Sequence, residues 1–441
     1  MDTRGITLFT TYSVILIGSL GVAVSNPSDS PLTPRQRTRG DGGPSEMELG
    51  PVSYLDCIVF CLLLAPQLVW RVGLLDTCFC VLQTLPFLLL RLPASFVYER
   101  YLVPQMSRSS SVWRASAFED VVTRCVRYAF THVPPRIGRV FFSKEVALPF
   151  LRFRLLRNGY LRPPIRWKVH RERHCKGIWM VQDPSEEPDF VLYYAHGGGF
   201  SLGTPYFYLE FLLTWLSILV EFGYCNPAIF ALEYTVVPDA SFPVQVEEAI
   251  SGYKHVLEVA RDPSIVCVSG DSAGAMLILN LLLHLGGKEA NSLNQGLRIP
   301  KPALALLISP WVTLVSTRHV NTRSDYLDVE QLHQYGLQFA GERISANDPL
   351  ISPGCCEDRS WWKRSSPSAG FVITYGEEEV FTRDIQEWLK VLREAGVIVS
   401  SNCEPGGIHA WPVASLFLSS NRRERLRGLG SMTEEIRKRV P

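Results

Sequence analysis

The pentapeptide GDSAG, residues 270–274, is the part of the sequence best suited to nucleophilic chemistry. It follows the apolar run SIVCV and precedes a long apolar helical pattern, AMLILNLLLHL. A serine between a strand and a helix stands on a sharp turn, and flanking glycines allow the backbone to make that turn. The N-terminus of the helix directs its partial positive charge to the same point. The pattern predicts that Ser272 is a nucleophile held above the edge of a sheet.

A second motif, HGGGF at residues 196–200, directly follows the apolar run FVLYYA. Three consecutive glycines let a backbone approach a ligand closely and direct its N–H groups at it. In acyl transfer the group to be stabilised is the carbonyl oxygen as it becomes negative. We expect the oxyanion donors to be the N–H groups of Gly198 and Gly199, together with that of Ala273.

A serine nucleophile needs a base, and nine histidines are available. His284 falls inside a helical pattern and His196 inside the glycine loop. His409 lies in GGIHAW, a glycine-rich loop after the last apolar run, from which it can reach back over the sheet edge. We therefore predict that His409 is the general base.

The acid that orients the base is expected after the apolar run at 371–375. The candidates there are Glu377, Glu378, Glu379 and Asp384. We favour Glu379, because the apolar pair that follows it can anchor the loop, and Asp384 remains the main alternative. The resulting order of serine, acid and histidine is the one expected of an α/β-hydrolase.

Short apolar runs alternate with longer helical patterns from about residue 165 onward. The predicted strands are 190–195, 228–232, 265–269, 303–309, 371–375 and 397–401, and the main predicted helices are 244–260, 273–285, 329–340 and 382–395. Such alternation is typical of a mostly parallel sheet with helices on both faces. We expect residues 165–430 to form an α/β catalytic domain.

Residues 1–51 begin with an uncharged apolar stretch at 6–24, which is either a membrane anchor or a secretory signal peptide. We favour the anchor, because more apolar sequence follows. Residues 25–51 are rich in proline, serine, glycine and arginine, and we interpret them as a disordered linker.

Residues 52–110 form a second apolar region, in which prolines and polar groups interrupt the runs, so neither half looks like a clean spanning helix. Three interpretations remain open: a membrane hairpin, helices lying on a bilayer surface, or a cap over the substrate. We favour membrane contact. Arginines follow the last apolar run, which favours a cytoplasmic location for that end. Residues 111–164 have helical periodicity and are expected to form a helical cap subdomain.

The composition excludes one class of partner. The 441 residues carry 44 Lys+Arg and 43 Asp+Glu, a net charge of +1, so a concentrated basic face for nucleic acid is not expected. Hydrophobic residues make up 46% of the chain, enough for a large core.

These motifs together resemble the hormone-sensitive-lipase branch of the α/β-hydrolases, also called the fold-3 family. HGGGF, GDSAG and the later stretch DPLISP stand in the family's order, and the resemblance covers roughly residues 165–425. It implies a nucleophile at Ser272, a base at His409 and the three oxyanion donors named above, with no metal or organic cofactor. Family members commonly carry Asp in a DPLRD string, whereas this chain reads EVFTRD from Glu379, so the acid here is a glutamate.

The resemblance implies a serine hydrolase that cleaves carboxylic esters of small apolar substrates through an acyl-enzyme. Two alternatives stay open, a non-catalytic small-molecule receptor on the same fold and a serine peptidase. We expect a membrane-associated protein of an endomembrane such as the endoplasmic reticulum, and we favour the cytosolic side for the catalytic domain.

Overall fold

An eight-stranded sheet organises the chain. The computed structural model describes residues 47–108, 112, 114–287 and 299–440, so the predicted anchor or signal at 6–24 and the predicted linker up to residue 46 lie outside the described residues. The strands are β1 (Arg166–Arg171), β2 (Lys176–Val181), β3 (Phe190–Ala195), β4 (Pro227–Leu232), β5 (Val266–Asp271), β6 (Leu304–Ile308), β7 (Phe371–Gly376) and β8 (Val399–Glu404).

The strand order is β1-β2-β4-β3-β5-β6-β7-β8. Strand β2 pairs antiparallel with β1 and β4, whereas all neighbours from β4 to β8 are parallel. Every residue of β3 to β7 is buried, as expected for parallel strands covered on both faces. The mostly parallel sheet predicted from the sequence is therefore confirmed.

The sequence analysis did not predict two of the strands, β1 and β2. Strand β1 reads RWKVHR and is largely exposed, and β2 begins with a lysine and a glycine. Their apolar signal is weak because they lie at the antiparallel edge of the sheet. The predicted helices at 244–260 and 329–340 have the observed bounds. The predicted helices at 273–285 and 382–395 each differ from the observed helix by one residue at the C-terminal end.

Helices cover both faces of the sheet. The helices that follow β3 are α6 (Leu209–Glu221), α7 (Val244–Ala260), α8 (Ala273–Gly286), α9 (Val329–Ala340), α10 (Arg359–Ser365), α11 (Thr382–Glu394), α12 (Trp411–Leu418) and α13 (Arg422–Arg437). Helices α7 to α11 share one apolar core with the sheet. Helices α6, α12 and α13 share the other.

Five helices precede the sheet. They are α1 (Tyr54–Arg71), α2 (Leu74–Leu102), α3 (Ala117–His132), α4 (Pro135–Phe141) and α5 (Lys144–Arg157). By length and hydropathy, α1 and α2 are each long and apolar enough to cross a bilayer. Prolines were expected to interrupt this region, and that expectation is wrong for α2. The helix runs on past Pro86 and Pro93 and contains π-helical turns at Phe87–Arg91 and Tyr98–Leu102.

Helices α1 and α2 are fastened to the rest of the protein along one side. The fully buried Arg154 of α5 donates to Asp56 at the start of α1 and, through two nitrogens, to Glu210 of α6. Near the end of α2, Glu99 pairs with Arg124 of α3 at 2.7 Å. A buried charge whose partner is removed is costly, so these pairs fix where both helices sit.

Helix α4 packs on the segment after the glycine loop, and α3 packs on α9, whose Tyr335 lies beside Gly199. Arg139 of α4 donates to the carbonyl of Ser201, just after the HGGGF motif. Phe130 of α3 meets Tyr335 of α9 edge to face, with ring centroids 5.8 Å apart. The segment between the apolar helices and the sheet therefore touches the region in which the sequence places its chemistry.

Candidate active site

Ser272 occupies the turn between β5 and α8. Its φ is +54° and its ψ is −120°, a backbone conformation that residues other than glycine rarely adopt. Two hydrogen bonds hold the turn, because the Ser272 N–H donates to the carbonyl of Ile308 at 2.9 Å and the Trp311 N–H donates to the carbonyl of Ser272 at 3.2 Å. The serine is 5% exposed. This is the geometry of a nucleophile elbow at the carboxyl end of a strand.

The glycines on either side of the turn have no room for a side chain. A Cβ at Gly270 would lie 2.7 Å from the carbonyl oxygen of Ala195, and a Cβ at Gly274 would collide with the same oxygen. The end of β3 therefore presses directly against the nucleophile turn. The glycines are needed for this close approach, as well as for the turn itself.

The glycine loop carries N–H groups that have no internal partner. Gly198 and Gly199 have φ values of +117° and +61°. A Cβ at Gly198 would collide with the carbonyl of Leu202. Within the described part of the chain, no acceptor takes the N–H of either glycine or of Ala273, the first residue of α8. Such unpaired donors suit an anion.

Asp271, which the sequence analysis left without a role, holds this loop. Its carboxylate accepts from the N–H of Gly197 at 2.8 Å and from the hydroxyls of Tyr194 and Tyr208, each at 2.7 Å. Burial raises the pKa of Asp271 to about 6, although the three hydrogen bonds oppose the shift. The residue before Ser272 thereby ties the nucleophile strand to the loop with the proposed oxyanion donors.

Glu379 and His409 lie next to each other beneath the surface. The His409 Nδ1 and Glu379 Oε2 atoms are 3.8 Å apart, and both residues are 3% exposed. This distance exceeds a hydrogen bond, so the pair is adjacent but not yet bonded. Catalytic hydrogen bonds are often longer without substrate. With Nδ1 protonated and facing the carboxylate, the other ring nitrogen is the one available as a base.

Ser309 links the loops that carry Glu379 and His409 to the turn at Ser272. Its hydroxyl donates to Glu379 Oε2 at 2.6 Å and accepts from the Ala410 N–H at 2.9 Å. It follows Ile308, whose carbonyl holds Ser272. The sequence analysis missed Ser309. The available signal was its position directly after β6, because parallel neighbours β5, β6 and β7 end at one edge.

Burial dominates the electrostatics of the pair. It lowers the pKa of His409 to about 3, which keeps the imidazole neutral in the resting protein. It also raises the pKa of Glu379 well above its usual range, while the Ser309 hydroxyl and the Gly376 N–H oppose this. Protonation of this imidazole would be stabilised by a negative charge on Glu379, which the two donors favour.

The other acid candidates face different partners. Asp384 lies 3.0 Å from Nε2 of the buried His319 and accepts from Ser316. Glu377 accepts from the Gly406 N–H at 2.8 Å, and Glu378 accepts from a serine hydroxyl in the loop before α9. Glu379 alone among the four candidates is paired with His409 in the described structure.

Backbone strain concentrates around this site. Five described residues other than glycine have a positive φ, and four of them belong to it: Phe200, Ser272, Ser309 and Ala410. Each such residue costs on the order of 1–3 kcal/mol and persists only where its surroundings impose it. Clustered strain of this kind is typical of active sites.

The comparisons with known proteins identify the family to which the fold belongs. The family described as having the alpha/beta hydrolase fold matches residues 192–413, half of the chain. The chain therefore belongs to this α/β-hydrolase family, as its resemblance to the hormone-sensitive-lipase branch predicts.

Among relatives, an acetyl-hydrolase of Streptomyces hygroscopicus is 28% identical over 57% of this chain and 77% of its own length. A putative acetyl-hydrolase of Mycobacterium tuberculosis is 29% identical over 41% of this chain and 47% of its own. A crystal structure of an esterase from the bacterial hormone-sensitive lipase family has a TM-score of 0.58 at 20% identity, over 74% of this chain and 99% of that one. The predicted enzyme class, a carboxylic ester hydrolase, agrees with the family and with these names.

Proposed function

We propose that the protein is a serine esterase in which Ser272 attacks an ester carbonyl and forms an acyl-enzyme. His409 accepts the serine proton and passes it to the leaving alcohol, while Glu379 orients the imidazole and stabilises its positive charge. The N–H groups of Gly198, Gly199 and Ala273 bind the oxyanion. Water then releases the acyl group by the same route.

The pairing of Glu379 with His409, beside a strained serine turn, is the observation that carries this proposal. Either feature alone has structural explanations. Together they join three neighbouring strand ends through Ser309, an arrangement that a simple turn or a solvated acidic loop does not need.

We further propose that the preferred esters carry short acyl groups. Trp311 stacks on Phe381 with ring centroids 5.8 Å apart, and Phe381 meets His409 edge to face at 5.2 Å. Phe200 also lies near Trp311, with ring centroids 6.0 Å apart. Ser272 itself is nearly buried, which suits a small apolar acyl group, and two relatives are named acetyl-hydrolases.

A panel of p-nitrophenyl esters with acyl chains of graded length tests both parts. We expect hydrolysis by the wild type to be fastest for the shortest chains. Ser272→Ala and His409→Ala should each remove most activity, and the double variant should be little worse than either single one, because the residues act as a unit. Wild-type protein that binds esters without hydrolysing them would favour a small-molecule receptor instead.

Association with a membrane is the second part of the proposed function. One side of α1 packs on α4 and α5 through Phe60, Leu64 and Leu68. Its other side, and most of α2, expose large apolar side chains, among them Trp70 at 86% and Leu75 at 85%. Because one side of α1 packs on the protein and α2 is joined to α3 by the Glu99–Arg124 ion pair, we favour helices that lie in the interface of one leaflet. We consider a hairpin that spans the bilayer the less favoured arrangement.

Paired aspartate substitutions test this arrangement. Phe79→Asp with Leu82→Asp places charges on the exposed side of α2 and should reduce sedimentation with phosphatidylcholine vesicles. Leu161→Asp is the matched control, because Leu161 is 90% exposed but lies outside these helices. Equal sedimentation of both variants with wild type would contradict the proposal.

We also propose an endomembrane location with the catalytic domain on the cytosolic side. All eleven cysteines, each within the described residues, are free thiols. Unpaired thiols are usual in a reducing compartment. Protease treatment of intact microsomes should digest the catalytic domain, whereas full protection would place it in the lumen.

A further inference from the structure

A short segment between β6 and α9 contacts both loops that carry the proposed acid and base. It comprises residues 322–326, and we call it the brace. Its carboxylate, Asp325, has no exposed surface. Oδ1 accepts from the His409 N–H at 3.1 Å, and Oδ2 accepts from the Val380 N–H at 2.9 Å. One side chain thus holds the backbone of the base and that of the residue after Glu379.

Other residues of the brace reinforce the same two loops. The Thr322 hydroxyl donates to the carbonyl of Glu378 at 2.6 Å, and the Ser324 hydroxyl donates to the Glu378 carboxylate. The Tyr326 hydroxyl donates to the carbonyl of His409 at 3.2 Å. The brace therefore makes more than one hydrogen bond with the loop of Glu379 and more than one with the loop of His409.

An arginine from the N-terminal helices anchors the brace. Arg127 of α3 donates through Nε to the carbonyl of Asp325 at 2.7 Å and through Nη2 to the carbonyl of Arg323 at 2.5 Å. The planar guanidinium can hold two carbonyls at once, which fixes the direction of the segment. Arg124, one turn earlier, faces Glu99 and Asp120 instead and does not touch the brace in the described structure.

We infer that Asp325 is a positioning residue that sets the separation between Glu379 and His409, and that Arg127 couples this setting to the N-terminal helices. The inference rests on the proposed roles of Glu379 and His409. Asp325 touches no reacting atom in this arrangement. It acts through the backbone of the two loops whose side chains are 3.8 Å apart.

Asparagine at position 325 keeps the shape of the side chain but cannot keep its hydrogen bonds. Both carboxylate oxygens are acceptors of N–H groups, and Oδ1 also accepts from Tyr326 at 2.8 Å. An amide must turn its NH₂ toward one set of these donors, which pushes one loop away from the other. A shift of about 1 Å in a catalytic group can cost roughly a hundredfold in rate.

The experiment measures kcat and KM of Asp325→Asn on p-nitrophenyl acetate, per active site titrated with a fluorophosphonate. We expect kcat per titrated site to fall roughly 10- to 100-fold while KM stays within about twofold. The control is Asp328→Asn, which removes a carboxylate three residues later that caps α9 through the Gln331 N–H. That variant should keep both its melting temperature and its kcat per site, because the asparagine oxygen can still accept from the Gln331 N–H.

A purely structural role for Asp325 predicts a lower melting temperature and fewer titratable sites, with wild-type kcat at each site, and that result would overturn the inference. If Asp325→Asn does not fold, Arg127→Ala against Arg124→Ala decides the question. Only Arg127→Ala should lower kcat per site, and Arg127→Lys should restore part of it. Equal kcat in both alanine variants would overturn the inference.

The variant Ser272→Ala distinguishes a failure of the proposed function from a failure of the positioning role of Asp325. If Ser272→Ala retains esterase activity, the proposed function fails and the role of Asp325 fails with it. If Ser272→Ala is inactive while Asp325→Asn and Arg127→Ala turn over normally at each site, only the positioning role is wrong.

Discussion

Replacing Glu379 by glutamine removes the charge opposite His409 while keeping the size of the side chain. The amide oxygen can still accept from Ser309 and Gly376, so the loop should hold its shape. The imidazolium that forms during reaction then loses a carboxylate at 3.8 Å. At an effective dielectric constant of about 20, two unit charges at this separation interact by roughly 4 kcal/mol. Since ~1.4 kcal/mol is a factor of ten in rate, we expect kcat to fall about a thousandfold.

The assay is initial-rate hydrolysis of p-nitrophenyl acetate, with thermal melting measured on the same samples. Asp384→Asn is the matched control, because Asp384 is also buried and also paired with a histidine, His319. This control should lower the melting temperature and leave kcat close to that of the wild type. A larger loss of kcat in Asp384→Asn than in Glu379→Gln would refute the reasoning and move the acid role to Asp384.

Three further predictions concern the same site. Ser309→Ala removes the hydroxyl donor to Glu379, and because hydrogen bonds to charged groups contribute about 1.5–3 kcal/mol, kcat should fall roughly 10- to 100-fold in steady-state assays. Gly198→Val should lower kcat by about 10²–10³ with little change in KM, and circular dichroism must show a folded protein. A Cβ at this positive φ collides with the Leu202 carbonyl, which should move away an N–H that serves the transition state. The acid limb of kcat/KM should lie below the ordinary histidine value of about 6.5, because burial lowers the pKa of His409 to about 3. A limb at or above that value would contradict this prediction, because either Glu379 would raise the pKa of His409 more than burial lowers it, or protonation of Glu379 itself would set the limb.

The sequence was sufficient for the parts of the fold that bury apolar residues continuously. Strands β3 to β7 and their helices appear as runs and periodic patterns, because a parallel sheet covered on both faces leaves little room for polar side chains. Strands β1 and β2 lack that signal since they pair antiparallel at the edge and expose charged residues.

The candidate residues with local signatures were also accessible from the sequence. Ser272 and the glycine loop stand in motifs whose spacing carries the chemistry. Ser309, Asp271 and Asp325 do not, because their roles depend on contacts between segments that are 55 or more residues apart in sequence. A single sequence reports periodicity within an element but not which strand ends meet, so contacts of this kind need the folded structure.

The most direct test of the central claim is to trap the acyl-enzyme. Full-length protein incubated with a fluorophosphonate, and separately quenched in acid during turnover of p-nitrophenyl acetate, is digested and analysed by mass spectrometry. We predict a phosphonyl or acetyl adduct on the peptide that contains Ser272, with no adduct in Ser272→Ala. An unlabelled Ser272 in protein that hydrolyses the ester, or an adduct at another residue, would contradict the account.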